Sequence, residues 1–252
     1  YTIGDWQGNS HIAFTNGNVT IQGSMSIGNK NGGEESIKCT GTGWVIFNGS
    51  SLTANNNSSL GTIPRFRQSS SSFTKSGSGT VTISTTFDRN CGAAPTVSAG
   101  AFTVSGSTTN APTTYYSCNS ADLSNVANWW TNTNCTGSNP SDFTNACSIF
   151  EVQSGHSCTF GTSRAIAGTL RVNGTLTPSA AVVISGTGSL SGTGTVTVTR
   201  TSATADFSSQ YTLSSITLSS LTVDYANATG SQTISAVNYG NLVLSNTSGT
   251  QT

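Results

Sequence analysis

Along most of this chain, single aliphatic or aromatic residues alternate with Thr, Ser or Asn in short runs that break at Gly or Asn. The stretches "NVTIQGSMSIG" (18–28), "GWVIFNGSSLT" (43–53), "GSGTVTISTTFD" (77–88), "TVSAGAFTV" (96–104) and "TVTVT" (195–199) all follow this rule. A period of two places every second side chain on the same side of an extended strand, so one side is buried and the other solvated. No long window combines a helical period with good helix formers. The nearest, "SADLSNVANWW" (120–130), would make a turn or two capped by Ser120 or Asp122. The chain is therefore expected to be all-β.

Repetition selects the architecture. After Cys147, "SIFEVQSGHSCTF", "AIAGTLRVNGTLTP", "AVVISGTGSL", "GTVTVTR", "SITLSSLTVDY", "SQTISAV" and "NLVLSNTSGT" follow one another with only turn residues between them. Leu221 and Val223 have counterparts in Leu242 and Leu244, 21 positions on. A unit of roughly 20–25 residues holding two or three short strands predicts a parallel β-helix, that is, a β-solenoid. A β-propeller and β-sandwich domains are the alternatives. Asn-Gly at 16–17, 31–32, 48–49 and 173–174 keeps hairpin turns open.

The scarcity of charge fits the solenoid. Of 252 residues only nine are Lys or Arg and nine Asp or Glu, whereas Ser and Thr number 84. In stacked parallel strands equivalent side chains lie about 4.8 Å apart. Like charges would repel along such a ladder, while Thr, Ser and Asn can hydrogen-bond along it. With zero net charge and scattered basic residues, neither nucleic acid nor an anionic membrane is expected as a partner. No apolar run reaches the length of a membrane span, so no insertion is expected.

The chain reads as three segments: an N-terminal β-helical block (1–112), a Cys- and Trp-rich segment (113–147), and a second β-helical block (148–252) expected to continue past residue 252. The absence of Met at Tyr1 fits a processed or cut chain. The middle segment contains Trp129, Trp130, Pro140 and three cysteines. It predicts a disulfide-stapled cap over the open edge of a stack, with Trp129 and Trp130 as capping aromatics or as a platform for a sugar ring.

The six cysteines, Cys39, Cys91, Cys118, Cys135, Cys147 and Cys158, lack the close spacing of a zinc site, and His11 and His156 lie far apart. Disulfides in an oxidising compartment are the better reading. Proximity in sequence suggests Cys118–Cys135 and Cys147–Cys158, leaving Cys39–Cys91.

Catalysis finds little material. Polysaccharide-degrading β-helix enzymes need clustered acids, or acids beside calcium and a base. Here only Glu34 and Glu35 adjoin, in a polar loop; Asp88-Arg89 reads as a surface pair, and His156 with Glu151 forms no triad motif. No catalytic residue, metal or cofactor is expected. Ice binding would need Thr-x-Thr in register on successive strands, which "SITLSSLTV" (215–223) does not supply.

"WWTNTNCTGSNPSDFTNACSIFEVQSGHSCTF" followed by "GTLRVNGTLTP" resembles the opening of repeat segments in very large Bacteroidota surface adhesins, including gliding-motility adhesins and related type IX secretion cargo. The shared features are Trp129 or Trp130, Pro140 with Asp142, "VQSGHSC" (152–158) and "LRVNGTLT" (170–177). "VDYANATGSQTISAVNYGNLVLSNTSGTQT" (223–252) is similar to that family's Tyr…Gln-Thr-Ile…Tyr-x-Asn-Leu-x-Leu-Ser unit. The resemblance covers about residues 115–252. It implies a non-enzymatic β-helical adhesin or surface-filament segment, exported across the outer membrane to the cell surface. Its partners would be surface glycans or other extracellular components, together with the secretion machinery. It also implies that these residues are the N-terminal piece of a longer protein. A carbohydrate-binding module or a polysaccharide-degrading β-helix enzyme is the alternative.

Overall fold

A computed structural model describes residues 2–3, 11–15, 18–27, 36–40, 42–54, 59–201, 204–246 and 252. The chain divides into two compact units, Tyr1–Pro112 and Thr113–Thr252.

In the first unit two parallel sheets take strands in turn along the chain. One contains, in spatial order, β1 (Thr2–Ile3), β4 (Met25–Ile27), β7 (Ser51–Ala54), β9 (Thr74–Ser76) and β11 (Thr96–Val97). The other contains β3 (Val19–Gln22), β6 (Val45–Asn48), β8 (Ser59–Gln68), β10 (Thr80–Asp88) and β12 (Ala101–Val104), with β13 (Ser107–Thr109) also on β10. A separate parallel pair joins β2 (His11–Thr15) to β5 (Ser36–Thr40). Val45 lies beside Phe66, Phe66 beside Phe87 and Phe87 beside Thr108, a constant step of 21 residues. Phe47, Phe66, Phe73 and Phe87 are buried, with neighbouring ring centroids 5.2–6.1 Å apart at tilted or edge-on angles. Such angles suit the ring quadrupoles better than face-to-face stacking.

Lys75 is wholly buried in this unit. Its ammonium donates to the carbonyls of Gly77 (2.6 Å), Gly79 (2.5 Å) and Ala99 (2.7 Å). All three of its N–H groups are thus engaged, and burial still pushes its pKa below the usual lysine value.

The second unit repeats the scheme. One sheet runs β15 (Trp129–Trp130), β14 (Thr113–Ser117), β16 (Ser148–Val152), β19 (Thr169–Val172), β21 (Ile184–Gly192), with β18 (Arg164–Ala165) and β23 (Tyr211–Ile216) both on β21. The other runs β17 (Ser157–Phe160), β20 (Thr175–Pro178), β22 (Thr195–Val198), β24 (Thr222–Tyr225) and β25 (Asn241–Leu244). Ile149, Thr169 and Ser189 are successive partners, as are Thr175 and Thr195, at a 20-residue step. The next step, Thr195 to Thr222, is longer by the turn that carries a short helix, Asp206–Gln210.

The register explains the composition. Cys158, Leu176, Val196, Val223 and Leu242 form one inward column. The first four are buried, whereas Leu242, on the last strand of its ladder, is 41% exposed. On the outward sides of the strands, half-buried hydroxyls meet across neighbouring strands, Thr53 with Ser76 at 2.9 Å and Thr169 with Ser189 at 3.0 Å, and half-buried Thr177 meets buried Thr197 at 3.2 Å. At one corner Gly194 sits so close to Gly174 that a Cβ there would lie 2.0 Å from its carbonyl oxygen.

Buried amides complete other corners. Gln232 accepts from Asn227 N–H (3.0 Å) and donates to the carbonyls of Val198 (2.8 Å) and Arg200 (2.9 Å). Gln210 accepts from Thr199 N–H (2.9 Å) and donates to Ser179 O (3.2 Å). Each side chain satisfies main-chain groups where the strands turn away from one another.

Three expectations change. Val223 pairs with Leu242 and Tyr225 with Leu244, so the step here is 19 residues, two fewer than the spacing of the matched Leu pairs. Asn48-Gly49 and Asn173-Gly174 separate strands of different sheets and make no hairpin. Among the described strands the one antiparallel pairing is β14 with β15, so the antiparallel ladders of the sandwich alternative are not the building principle.

Candidate functional site

The segment following β14 is built by side chains that cap its own turns. Asp122 Oδ1 accepts from Ser124 N–H (3.0 Å), Ser124 Oγ (2.8 Å) and Gly161 N–H (2.9 Å). Asn125 then caps a single 3-10 turn, Val126–Asn128, by accepting from Ala127 N–H. That turn leads into β15, where Trp129 is wholly buried: its indole N–H donates to Leu123 O (2.9 Å) and its ring meets Phe150 edge-on at 5.3 Å. Trp130 is half-buried and lies opposite Tyr116. Through β15 this segment pairs with the otherwise open edge of β14. Trp129 is therefore a core residue and cannot serve as a sugar platform, which corrects that reading; an indole fully out of water has no face to offer.

A cleft of about 560 Å³ is lined by Asp122, Ser124, Asp142, Thr144, Thr162 and Arg164. Its acids are committed to backbone. Asp142 accepts from Thr144 N–H (2.8 Å) and Thr144 Oγ1 (2.7 Å), and Arg164 donates to Ser124 O (2.9 Å). Burial pushes the Asp122 carboxyl up, but hydrogen bonds from Gly161 and Ser124, helped by Arg164, outweigh it and hold the group below the usual carboxylate range. The hydrogen bonds from Thr144 do the same for Asp142. Both are ionised acceptors near neutral pH, unsuited to donate a proton.

The remaining candidates disperse. His156 Nδ1 lies 2.8 Å from Ser117 Oγ, while Glu151 is held by Arg171 (3.1 Å) and Asn173 (3.2 Å), so the two are not brought together. Asp88 pairs with Arg67 at 2.7 Å rather than with Arg89, whose Nε donates to Gly92 O. Glu34 and Glu35 lie outside the described residues. The register aligns Thr175-x-Thr177 with Thr195-x-Thr197, but the next strand presents Thr222-x-Asp224 and ends the rank, as expected from "SITLSSLTV". Among the described residues no group of three His, Cys, Asp or Glu could hold a metal ion, and no helix is long and apolar enough to cross a membrane.

Cys118 and Cys135 form a disulfide, as expected, and Cys91 and Cys147 are also disulfide-bonded. Cys158 is a free, buried thiol, which overturns its assignment to Cys147. It occupies the aliphatic column above Leu176 and donates to Asn119 O (3.3 Å). Burial pushes its pKa up, so it acts as a small hydrophobe. The side chain of Cys39 lies outside the described residues. The disulfides indicate an oxidising, extracellular-type environment.

Sequence reasoning passed over Trp44, Arg65 and Arg67, which share one outward patch of the first unit. The signal was "RFR" (65–67): a buried Phe between two arginines on a strand turns both cations outward.

No protein-family model, curated protein or solved structure matches the chain.

Proposed function

We propose that the chain is a non-enzymatic segment of an extracellular adhesin or surface filament. In this reading each unit is a β-solenoid, coiled around an aliphatic and aromatic core, and segment 113–147 caps the second coil. The resemblance of residues 115–252 to Bacteroidota surface adhesins supports a reading as type IX secretion cargo presented at the cell surface. The observation that carries the reading is the cross-strand pairing of outward hydroxyls, Thr53–Ser76 in the first unit and Thr169–Ser189 in the second. Such a face offers many weak, uncharged hydrogen-bonding sites and no groups poised for proton transfer. The residues that match the adhesin unit support it too, because they do structural work: Tyr225 Oη meets Tyr239 Oη at 2.8 Å, and Gln232 fills a corner.

The test is retention of beads coated with the purified chain on immobilised surface glycans and extracellular-matrix components, with reducing ends assayed in parallel. Retention without glycan cleavage is expected. Release of new reducing ends, or beads that wash off every surface, would overturn the proposal.

A further inference from the structure

The outer face of the first unit departs from neutrality at one place. In β8 the side chain of Phe66 is 1% exposed and points inward, so Arg65 and Arg67 on either side point outward. Trp44 directly precedes Val45, the register partner of Phe66, and its indole lies beside both cations. The guanidinium carbons of Arg65 and Arg67 are 5.7 Å and 4.7 Å from the ring centroid, within cation–π range. Asp88, on the next strand, orients Arg67 by accepting from its Nε at 2.7 Å. The other oxygen of Asp88 accepts from Asn90 N–H and Asn110 Nδ2, both at 2.9 Å.

This arrangement holds the two guanidiniums in place without consuming them. Arg67 gives one N–H to Asp88, and Arg65 gives one, at 3.3 Å, to Thr42 O. Their other donors have no partner among the described residues, and Arg65 has no carboxylate there at all. Among the described residues two guanidiniums face one carboxylate there, an excess of one positive charge. Beside it lie half-buried Ile46 and Thr86, the register partners of Arg67 and Arg65; one strand further on each side come exposed Thr20 and Ser107, with the mutually hydrogen-bonded amides of Asn48 and Gln22 farther along the preceding strands.

We infer that this patch binds an acidic polysaccharide. A carboxylate or sulfate group on the saccharide sits against the free N–H forks of Arg65 and Arg67, and the flanking amides and hydroxyls receive the sugar hydroxyls. Guanidinium forks match both oxyanions, which is why the shared chemistry defines the ligand. A nucleic acid fits less well: its affinity comes from many phosphate contacts, and this face offers two cations amid uncharged side chains. The inference rests on the adhesin reading only for its biological setting, sharpening "glycan" to "acidic glycan"; binding itself is measured directly.

The experiment titrates the full chain with polygalacturonate, dextran sulfate, unmodified dextran and a thymidine oligonucleotide by calorimetry, at low and high salt. We expect at least one acidic polymer to bind about tenfold or more tightly than dextran, with binding weakened by salt and lowered about tenfold in Arg65→Gln, one charge-assisted contact being worth roughly that factor. Arg65→Lys, which keeps the charge and loses the fork, should fall between. Thermal midpoints of both variants should stay within about 4 °C of the unmodified chain, because Arg65 makes one long hydrogen bond and one surface cation–π contact, the latter worth about 0.5–1 kcal/mol. Failure of both acidic polymers to bind, equal binding of dextran, tighter binding of the oligonucleotide, or undiminished binding by Arg65→Gln would each overturn the inference. None of these results bears on whether coated beads adhere, so the two proposals fail separately.

Discussion

Replacing Gln232 by Leu removes a buried amide that serves three main-chain groups. Asn227 N–H loses its acceptor, and Arg200 O loses its donor. Val198 O retains a second donor, Ala226 N–H, and is only partly deprived. Each buried main-chain group left without a partner costs about 1–3 kcal/mol, so two orphans cost roughly 2–6 kcal/mol. Leucine recovers about 1 kcal/mol through added apolar burial, leaving about 1–5 kcal/mol net. That is a large share of the roughly 5–15 kcal/mol that holds a typical domain together. At about 3 °C per kcal/mol, the thermal midpoint of the second unit should fall by about 3–15 °C. Gln232→Glu should be at least as damaging, since a carboxylate can accept from Asn227 but cannot donate to the carbonyls. Differential scanning calorimetry of the full chain reads both. A midpoint for Gln232→Leu within about 2 °C of the unmodified protein, or a Gln232→Glu variant that is indistinguishable from it, would refute the corner-amide reasoning.

Gly194→Ala should destabilise the second unit by about 1–3 kcal/mol in chemical denaturation, because its Cβ would press on Gly174 O, whereas Ser191→Ala nearby should be close to neutral. Asp88 gives a pH dependence of defined sign. Burial raises its pKa, but hydrogen bonds from Asn110, Asn90 and Arg67 outweigh that and hold it below the unfolded value of about 3.9. The folded chain then binds fewer protons than the unfolded one, so this stability is fully present above about pH 4 and is lost as pH falls through the folded value. Thermal midpoints measured down the acid range should show that loss, and Asp88→Asn should flatten it. Iodoacetamide followed by peptide mapping should label Cys158 only after unfolding, and Cys158→Val should change stability by less than about 1.5 kcal/mol.

Much of the fold was legible because burial has a local signature. Phe47, Phe66, Val81, Ile83, Val196 and Val198 are buried where the period of two puts them. The lack of charge correctly anticipated hydroxyls that bond across strands. Register was less legible: Leu221/Val223 and Val223/Tyr225 match Leu242/Leu244 equally well by pattern, because a shift of two residues keeps the same face. The inward amides were hidden for a related reason. Gln210 falls between two of the alternating runs and Gln232 inside one, and nothing local reveals that a corner needs a donor and an acceptor. Cys158 looked like half of a disulfide because cysteine count carries no information on direction; its place in a column with Leu176 and Val196 decides the matter. Trp129 was ambiguous in sequence for the same cause, since a capping ring and an exposed platform share one residue type.

The proposed function requires strands lying one above another in parallel register, because that stacking alone gathers uncharged hydroxyls into ranks on the outside. Paired cysteine substitutions in the column Thr169, Ser189, Ser215 test it directly. Adjacent partners should lie about 4.8 Å apart, inside the roughly 4.4–6.8 Å that a disulfide spans, and the outer two about twice as far. Under mild oxidation, Thr169→Cys with Ser189→Cys and Ser189→Cys with Ser215→Cys should each cross-link, and Thr169→Cys with Ser215→Cys should not. Cross-linking of the outer pair, or of neither adjacent pair, would contradict the stack and the function argued from it.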